Sequence, residues 1–403
     1  MNLISTQEAL KTILDHSQNY GVEKIPFFEA SGRVLKEEVY ADRDFPPFNR
    51  VAMDGVAVQT SQFESGRRTF AIEGVQPAGS PQLSLSNEEH CIEVMTGAVL
   101  PENVDAVIPY ELTTISNGVA TLNIEELTHF QNIHPKGKDQ QKDAVILREN
   151  TVLSPAEIGV LTTVGISEVT VAKVPKVMIV STGDELVDVN ETPAEYQIRR
   201  SNVYTLQAML KEQHIHADTA HIADDKQALK KAISRMLDSY DVLLFSGAVS
   251  KGKFDFIPEI LDELGVEKLF HKLAQRPGKP FWFGQKVGEE NSKVVFAFPG
   301  NPVSTFVSCL KYFMPWYRKS LGLTFMSKFA VLNETISFKK PLTYFLQVEI
   351  KNEAGVLKAN PVQGNGSGDL ANLVLSNAFI QLPADKTEFK KGEVYPIIPF
   401  RSF

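Results

Sequence analysis

The sequence predicts a multidomain protein of mixed α/β and β class. It reads as a strand-rich N-terminal region, a central α/β domain with a mostly parallel sheet, and a small C-terminal β-barrel-like domain. Three observations carry this. The chain has 403 residues, more than one hydrophobic core organises, so roughly two to four domains are expected. From about residue 173 to 325, apolar β-branched runs alternate with segments of helical periodicity, the pattern of parallel strands joined by crossover helices. Beyond residue 325 short strand-like runs dominate, with Gly and Asn between them. The expected domains are therefore 1–172, with a strand-rich subdomain inserted at about 46–140, then 173–325 and 326–403.

Each element has a local reason. "MNLISTQEALKTIL" opens a helix, because Ser5 and Glu8 form an S-x-x-E capping box ahead of Leu10, Ile13 and Leu14. "TFAIEGV" and "DAVIPYELTTISNGVATLNI" read as short strands broken by turns. "LSPAEIGVLTTVG" is a helix with Ser154 at the N-cap and Pro155 at its first position. "KVMIVSTGDEL" and "DVLLFSGAVSKGKFD" are buried strands running into polar Gly turns. Val203, Leu206, Met209 and Leu210, and then Leu229, Ile233, Met236 and Leu237, recur at helical spacing. "KVVFAFPGNPVSTFVSCLKYF" is a further strand, turn and helix. "AVLNETISF", "TYFLQVEI", "AFIQLP" and "VYPIIPF" are the strands of the last domain.

Bulk composition narrows the function. The chain is 43% hydrophobic and 22% charged, as globular proteins are. Forty-one basic against 49 acidic residues leave a net charge of -8. That argues against a nucleic-acid or membrane-surface binder, which needs a basic face. An anionic ligand must then be held by local groups. Cys91 and Cys309 are the only cysteines, so neither a zinc set nor a disulfide framework is expected. No signal peptide or bilayer-length apolar run is evident, and a cytoplasmic location is expected.

Ligands of parallel α/β sheets sit outside the carboxyl ends of the strands. Here those ends carry "STGDE", "SGAVSKGKFD" and "PGNPVS". Ser246, Gly247 and Ser250 would let backbone N–H groups approach an anion, although a plain strand-to-helix turn accounts for them as well. Ser181, Asp184, Glu185 and Asp255 gather carboxylates near such a cradle. A phosphate would be repelled there unless a cation such as Mg²⁺ intervened; capping of the next helix is an equal account of Asp184. "RPGKP" sets Arg276 and Lys279 in a turn restrained by two prolines, a plausible oxyanion seat. Gly300 and Asn301 precede Pro302, with Ser304 in the first turn of a helix whose free N–H groups favour anions. Two Pro-Gly corners, Pro277–Gly278 and Pro299–Gly300, thus stand about two dozen residues apart. They are either ordinary turns or two walls of one anion site. Histidine metal binding is not expected.

Taken together, "PPFNRVAMDGVAV", "EVMTGAVLPENVDAVIPYE", "KGKD", "IVSTGDEL", "RRSN", "IADD", "SGAVSKGKFD", "RPGKP" and "FPGNPVS" resemble the molybdopterin molybdenumtransferase (MoeA) family, to which the gephyrin E domain is related. The resemblance covers essentially the whole chain. It implies an elongated homodimer, a three-layer molybdopterin-binding domain, and a cleft completed by the N-terminal region of the other protomer. It implies molybdenum insertion from molybdate into adenylylated molybdopterin, with Mg²⁺-dependent hydrolysis of the adenylate and release of AMP; copper on the dithiolene is a family trait. An upstream adenylyltransferase and downstream molybdoenzymes or chaperones would be its partners.

By that resemblance Glu185 and Asp255 hold Mg²⁺, and with Asp54 and Lys279 form the catalytic set. Ser181, Gly183, Asp184, Asp224, Ser246, Gly247, Ser250, Pro277, Gly278, Pro299, Gly300 and Asn301 line the cofactor site, with Thr96 and Asp139 from the partner. Arg276, Lys279, Ser304 and Ser367 hold molybdate. The chain departs from the family pattern in four places, one of them spanning two residues. His134 and Lys138 stand where an Arg-containing motif is usual, Ala248 replaces a Gly, Lys253 an acidic residue, and Gln347 an Arg of the oxyanion site. Gln carries no charge; Lys253 would offset the loss. The competing reading is a catalytically weakened relative that binds cofactor or acts as a scaffold. The upstream adenylyltransferase shares the α/β domain but not the flanking regions.

Overall fold

The computed structural model describes residues 3–247, 256–288 and 291–403. The chain forms two compact units. One comprises residues 26–31 and 37–169, the other residues 1–25, 32–36 and 170–403.

The first unit is built on a six-stranded sheet in the order Ala106–Pro109, Gly55–Val58, His90–Val94, Thr69–Gln76, Val119–Leu122, Thr113–Ser116. Both faces are covered. Val56, Val58, Cys91 and Phe70 pack on one side; Ala57, Ile92 and Val94 pack on the other. The alternation follows from the period-2 geometry of a strand.

The second unit starts with the helix Thr6–Asp15. Ser5 and Glu8 close the expected capping box, with Glu8 N–H donating to Ser5 Oγ at 3.1 Å and Ser5 N–H to Glu8 Oε2 at 2.9 Å. Ala9 and Ile13 are fully buried in the larger core. That core lies on one face of a six-stranded sheet ordered Ala217–Ile222, Val177–Thr182, Val242–Ser246, Lys293–Phe298, Trp282–Lys286, Glu267–His271. The first four strands are mutually parallel; the last two join antiparallel. Val177, Ile179, Val242, Leu244, Phe296 and Phe298 face the helix Ser201–Lys211. The intervening Met178, Val180, Leu243, Phe245, Val295 and Ala297 face the helices Lys226–Ser239 and Ile257–Glu263. These strands read as continuous apolar runs because helices cover both faces. Each such buried side chain contributes about 1.5–3 kcal/mol.

The C-terminal part closes into a five-stranded barrel. Thr343–Glu353 pairs with Val356–Pro361, followed by Lys328–Leu332, Val394–Pro399 and Ala378–Leu382, which pairs back onto Thr343–Glu353. Tyr344, Leu346, Val348 and Ile350 belong to the barrel core. The odd residue Phe345 points outward, into a second cluster with Val303 and Val307 of the helix Pro302–Ser308. That helix continues through a π turn, Cys309–Phe313, into Met314–Ser320. Lys311 lies in the turn and donates from Nζ to Gln381 Oε1 of the barrel at 2.9 Å.

Burial without a carboxylate partner pulls the Lys311 pKa down to about 8 from an ordinary 10.5. Between these values the unfolded chain holds a proton that the folded chain has released, so this group makes stability rise with pH from about 8 to about 10.5. In Lys311→Met that contribution vanishes. Denaturant midpoints measured across this window should therefore rise for the wild type relative to the variant. Parallel curves would show that Lys311 keeps its ordinary affinity for the proton.

Candidate functional site

The chain visits the strand Val177–Thr182 first, the edge strand Ala217–Ile222 second and Val242–Ser246 third, on the other side of the first. The order therefore reverses between the first and third strands, where open α/β sheets take their ligands. Ser181 and Ser246 stand opposite each other across that line, and both are buried. Ser181 Oγ is 3.1 Å from His221 Nδ1 of the edge strand. Gly183 follows with φ +124°, and a Cβ there would lie 2.3 Å from Glu185 Oε2. The Glu185 carboxylate is folded over this glycine, whose positive φ disfavours other residues. Asp184 Oδ1 accepts the Asp224 N–H at 3.2 Å, tying two strand ends together.

Asp184 and Glu185 are exposed, and no Lys or Arg forms an ion pair with either among the described residues. Hard carboxylate oxygens facing water suit Mg²⁺, which keeps several waters and takes one or two carboxylates. Among the described residues no group of three His, Cys, Asp or Glu side chains forms a ready-made metal site. Ser250 and Asp255, with Ala248 and Lys253, lie outside the described residues.

Beside these strand ends opens a cleft of about 820 Å³. Both Pro-Gly corners line it: Pro277, Gly278 and Lys279 on one wall, Pro299, Gly300 and Asn301 on another. Arg276, Ser304 and Ser367 line it too. Ser181, Ser246 and the carboxylates of Asp184 and Glu185 do not, but Gly247 adjoins it, since a Cβ on Gly300 would sit 3.6 Å from Gly247 Cα. Among the described residues three cations reach the cleft, Arg276, Lys279 and Lys340, and no Asp or Glu does. None of the three is in an ion pair among the described residues. Positive charges gathered without counterions repel one another, and an anion between them relieves that repulsion. Burial raises the pKa of the Tyr344 hydroxyl in the same wall, and the Arg276 charge draws it part of the way back.

The position of the cationic turn is set by the barrel. Gln275–Arg276 is a two-residue strand running parallel to Thr343–Tyr344. Gln275 is 1% exposed; its Nε2 donates to Pro277 O at 3.0 Å and its Oε1 accepts from Tyr312 OH at 2.5 Å. Leu273 and Phe281 both donate backbone N–H to Lys279 O, which pinches the loop. The second corner is held by Asn202 Nδ2 on Gly300 O at 2.7 Å and Thr305 Oγ1 on Pro299 O at 2.5 Å. Asn301 Nδ2 donates to Ser367 Oγ at 2.8 Å, and the Val303 N–H donates to Ser367 O at 3.1 Å. One N–H of the helix's first turn, expected to be free for an anion, is thus already taken by the chain itself.

The other unit carries a smaller recess, of about 300 Å³, lined by Arg50, Val51, Ala52, Thr96, Gly97 and His134. Asp54 Oδ1 accepts from the Thr96 N–H at 2.6 Å and from Thr96 Oγ1 at 2.7 Å. The backbone donor, followed by the hydroxyl, holds the Asp54 pKa below the usual carboxylate range. Asp139 accepts from His134 at 2.8 Å. His134 thus fills its departure from the family motif with an imidazole tied to the neighbouring acid.

The sequence reading gave no role to Lys340, Gln275, Asn202 or Arg50, although Asn202 and Arg50 lie within the quoted motifs RRSN and PPFNRVAMDGVAV. Lys340 stands ahead of Pro341 in a polar link and carries no motif.

Comparison with known proteins gives three consecutive family matches: "MoeA N-terminal region (domain I and II)" over residues 4–165, "Probable molybdopterin binding domain" over 178–319, and "MoeA C-terminal region (domain IV)" over 330–400. A molybdopterin molybdenumtransferase of Synechocystis is 39% identical over 397 residues, covering 98% of this chain and 99% of that one. One of Haemophilus influenzae is 32% identical over 404 residues, covering 96% and 98%. The crystal structure of a molybdopterin biosynthesis MoeA protein from Pyrococcus horikoshii covers the whole of both chains at a TM-score of 0.83 and 27% identity.

Gly278 tests how the cleft is held. Its φ is +90°, and a Cβ would come within 2.7 Å of Gln275 Nε2 and 3.0 Å of Ser308 Oγ. Gly278→Ala should lower the unfolding free energy by at least about 1 kcal/mol, read from denaturant midpoints. A neutral result would mean that the turn relaxes freely and does not fix Arg276 and Lys279.

Proposed function

Because the chain belongs to the MoeA family of molybdopterin molybdenumtransferases, which are transferases of molybdenum-cofactor biosynthesis, we propose that it inserts molybdenum from molybdate into adenylylated molybdopterin and releases AMP. The observation that carries this reading is a cleft that, among the described residues, gathers three cations, none ion-paired, and no carboxylate, set beside the switch point of an α/β sheet. An acidic chain does not assemble such a patch by general composition.

In this reading Arg276, Lys279, Ser304 and Ser367 seat the molybdate dianion, by charge-assisted hydrogen bonds. The pterin phosphate and the adenylate lie along the strand ends, against Ser181, Gly183, Ser246 and Gly247, with Asp184 and Asp224 fixing the loop between them. Glu185 and Asp255 would hold Mg²⁺, which when bound neutralises phosphate charge as the adenylate is cleaved. Asp54, ionised and oriented by Thr96, and Asp139, oriented by His134, act in a homodimer. Cytoplasmic location, supply by an adenylyltransferase and delivery to molybdoenzymes or chaperones complete the proposal. No described helix is long and apolar enough to cross a membrane.

A scaffold that binds cofactor without turnover is the second reading, favoured by the neutral Gln347 in the cleft wall. The two separate in an assay of AMP release from adenylylated molybdopterin with Mg²⁺ across a molybdate titration. Saturable release is expected. Lys279→Ala should raise the molybdate concentration for half-maximal release by about tenfold or more, as loss of a charge-assisted contact does. Asp255→Ala should abolish release. Tight substrate binding with no release at any molybdate concentration would establish the scaffold.

A further inference from the structure

Gln347 departs from the family pattern without leaving a hole. It lies in the strand Thr343–Glu353, on the outward face with Phe345, and is 8% exposed. The residue lines the cleft. Asn372 Nδ2 donates to its Oε1 at 3.2 Å, which turns Nε2 the other way, and Nε2 is buried with no acceptor among the described residues. The wall closes tightly behind this pair: a Cβ on Gly364 would lie 2.3 Å from Asn372 Nδ2 and 3.4 Å from Gln347 Oε1. A buried amide donor without a partner is costly, and native proteins rarely keep one without a use. Lys340 lines the same cleft from an exposed position in the link just before that strand, and no carboxylate pairs with it among the described residues.

We infer that Gln347 and Lys340 divide between them the work of one deep cation in the anion cleft, Gln347 donating a neutral hydrogen bond from the wall and Lys340 supplying charge from the rim. The ligand class is a tetrahedral oxyanion, and the inference rests on the reading of this cleft as the molybdate seat. The division has a consequence that a single arginine would not produce. A hydrogen bond from a neutral amide is little screened by salt, whereas the attraction of an exposed lysine is strongly screened. The two contributions therefore separate by ionic strength.

The test is calorimetric titration of the full-length protein with molybdate alone, over a range of salt concentrations. Lys340→Ala should weaken binding by about tenfold at low salt and flatten its dependence on salt; Gln347→Leu should weaken it by a similar factor at every salt concentration. Gln347→Glu, which keeps the shape and reverses the polarity, should weaken it further and serves if the leucine variant is unstable. Lys339→Ala, an exposed neighbour outside the cleft, should bind as the wild type does. If Lys279→Ala loses binding while either Lys340→Ala or both Gln347 variants bind normally, the shared role is overturned and the anion cleft stands. If the wild type fails to bind molybdate, or Lys279→Ala leaves binding unchanged, the reading of the cleft falls and this inference with it.

Discussion

The parallel pairing of Gln275–Arg276 with Thr343–Tyr344 is the contact on which the cleft depends. It joins a loop of the α/β part to the first long strand of the barrel, and it does so with only two residues. A ladder that short has little stability of its own. It is held by the buried Gln275 amide, whose two ends are taken by Pro277 O and Tyr312 OH. Tyr312 in turn sits in the π turn that continues from the helix behind the second Pro-Gly corner. A single side chain therefore links both walls. Arg276 and Lys279, on either side of the turn it braces, both line the cleft.

That arrangement answers a conflict in the charge balance. The chain is acidic overall, yet among the described residues its cleft is lined by cations and by no carboxylate. The acids are not far away in the fold; Asp184 and Glu185 stand at the neighbouring strand end, outside the cleft. The folded chain thus sorts opposite charges into adjacent compartments. One offers oxygen donors to a hard cation and the other offers N–H donors to an anion. Burial of unlike charges together would have cancelled both.

Much of this was legible in the sequence. The two Pro-Gly corners, the Gly turns after buried strands and the helix caps at Ser5 and Ser154 are local signals, because backbone restriction and capping act within a few residues. The helix caps and both Pro-Gly corners appear where the spacing placed them, whereas most of the Gly turn after Val242–Ser246 lies outside the described residues. Lys340 and Gln275 were not legible, because their roles arise from partners about 70 residues or less away in sequence but adjacent only after the barrel closes. The blocked first-turn N–H of Val303 was hidden for the same reason: its acceptor is Ser367, far along the chain.

The sequence by itself determined the alternation of strands and helices, the family, and the residue types available for binding an oxyanion. Periodicity and turn chemistry are short-range properties, and nine motifs in order leave little room for another family. Only the tertiary structure decided which of these residues share one space. It brought Arg276, Lys279 and Lys340 together, kept Asp184 and Glu185 apart from them, and left the Gln347 amide nitrogen without an acceptor among the described residues. Proximity of that kind depends on how the barrel strand registers against the cationic turn, and register is set by packing across the whole unit rather than by any one segment.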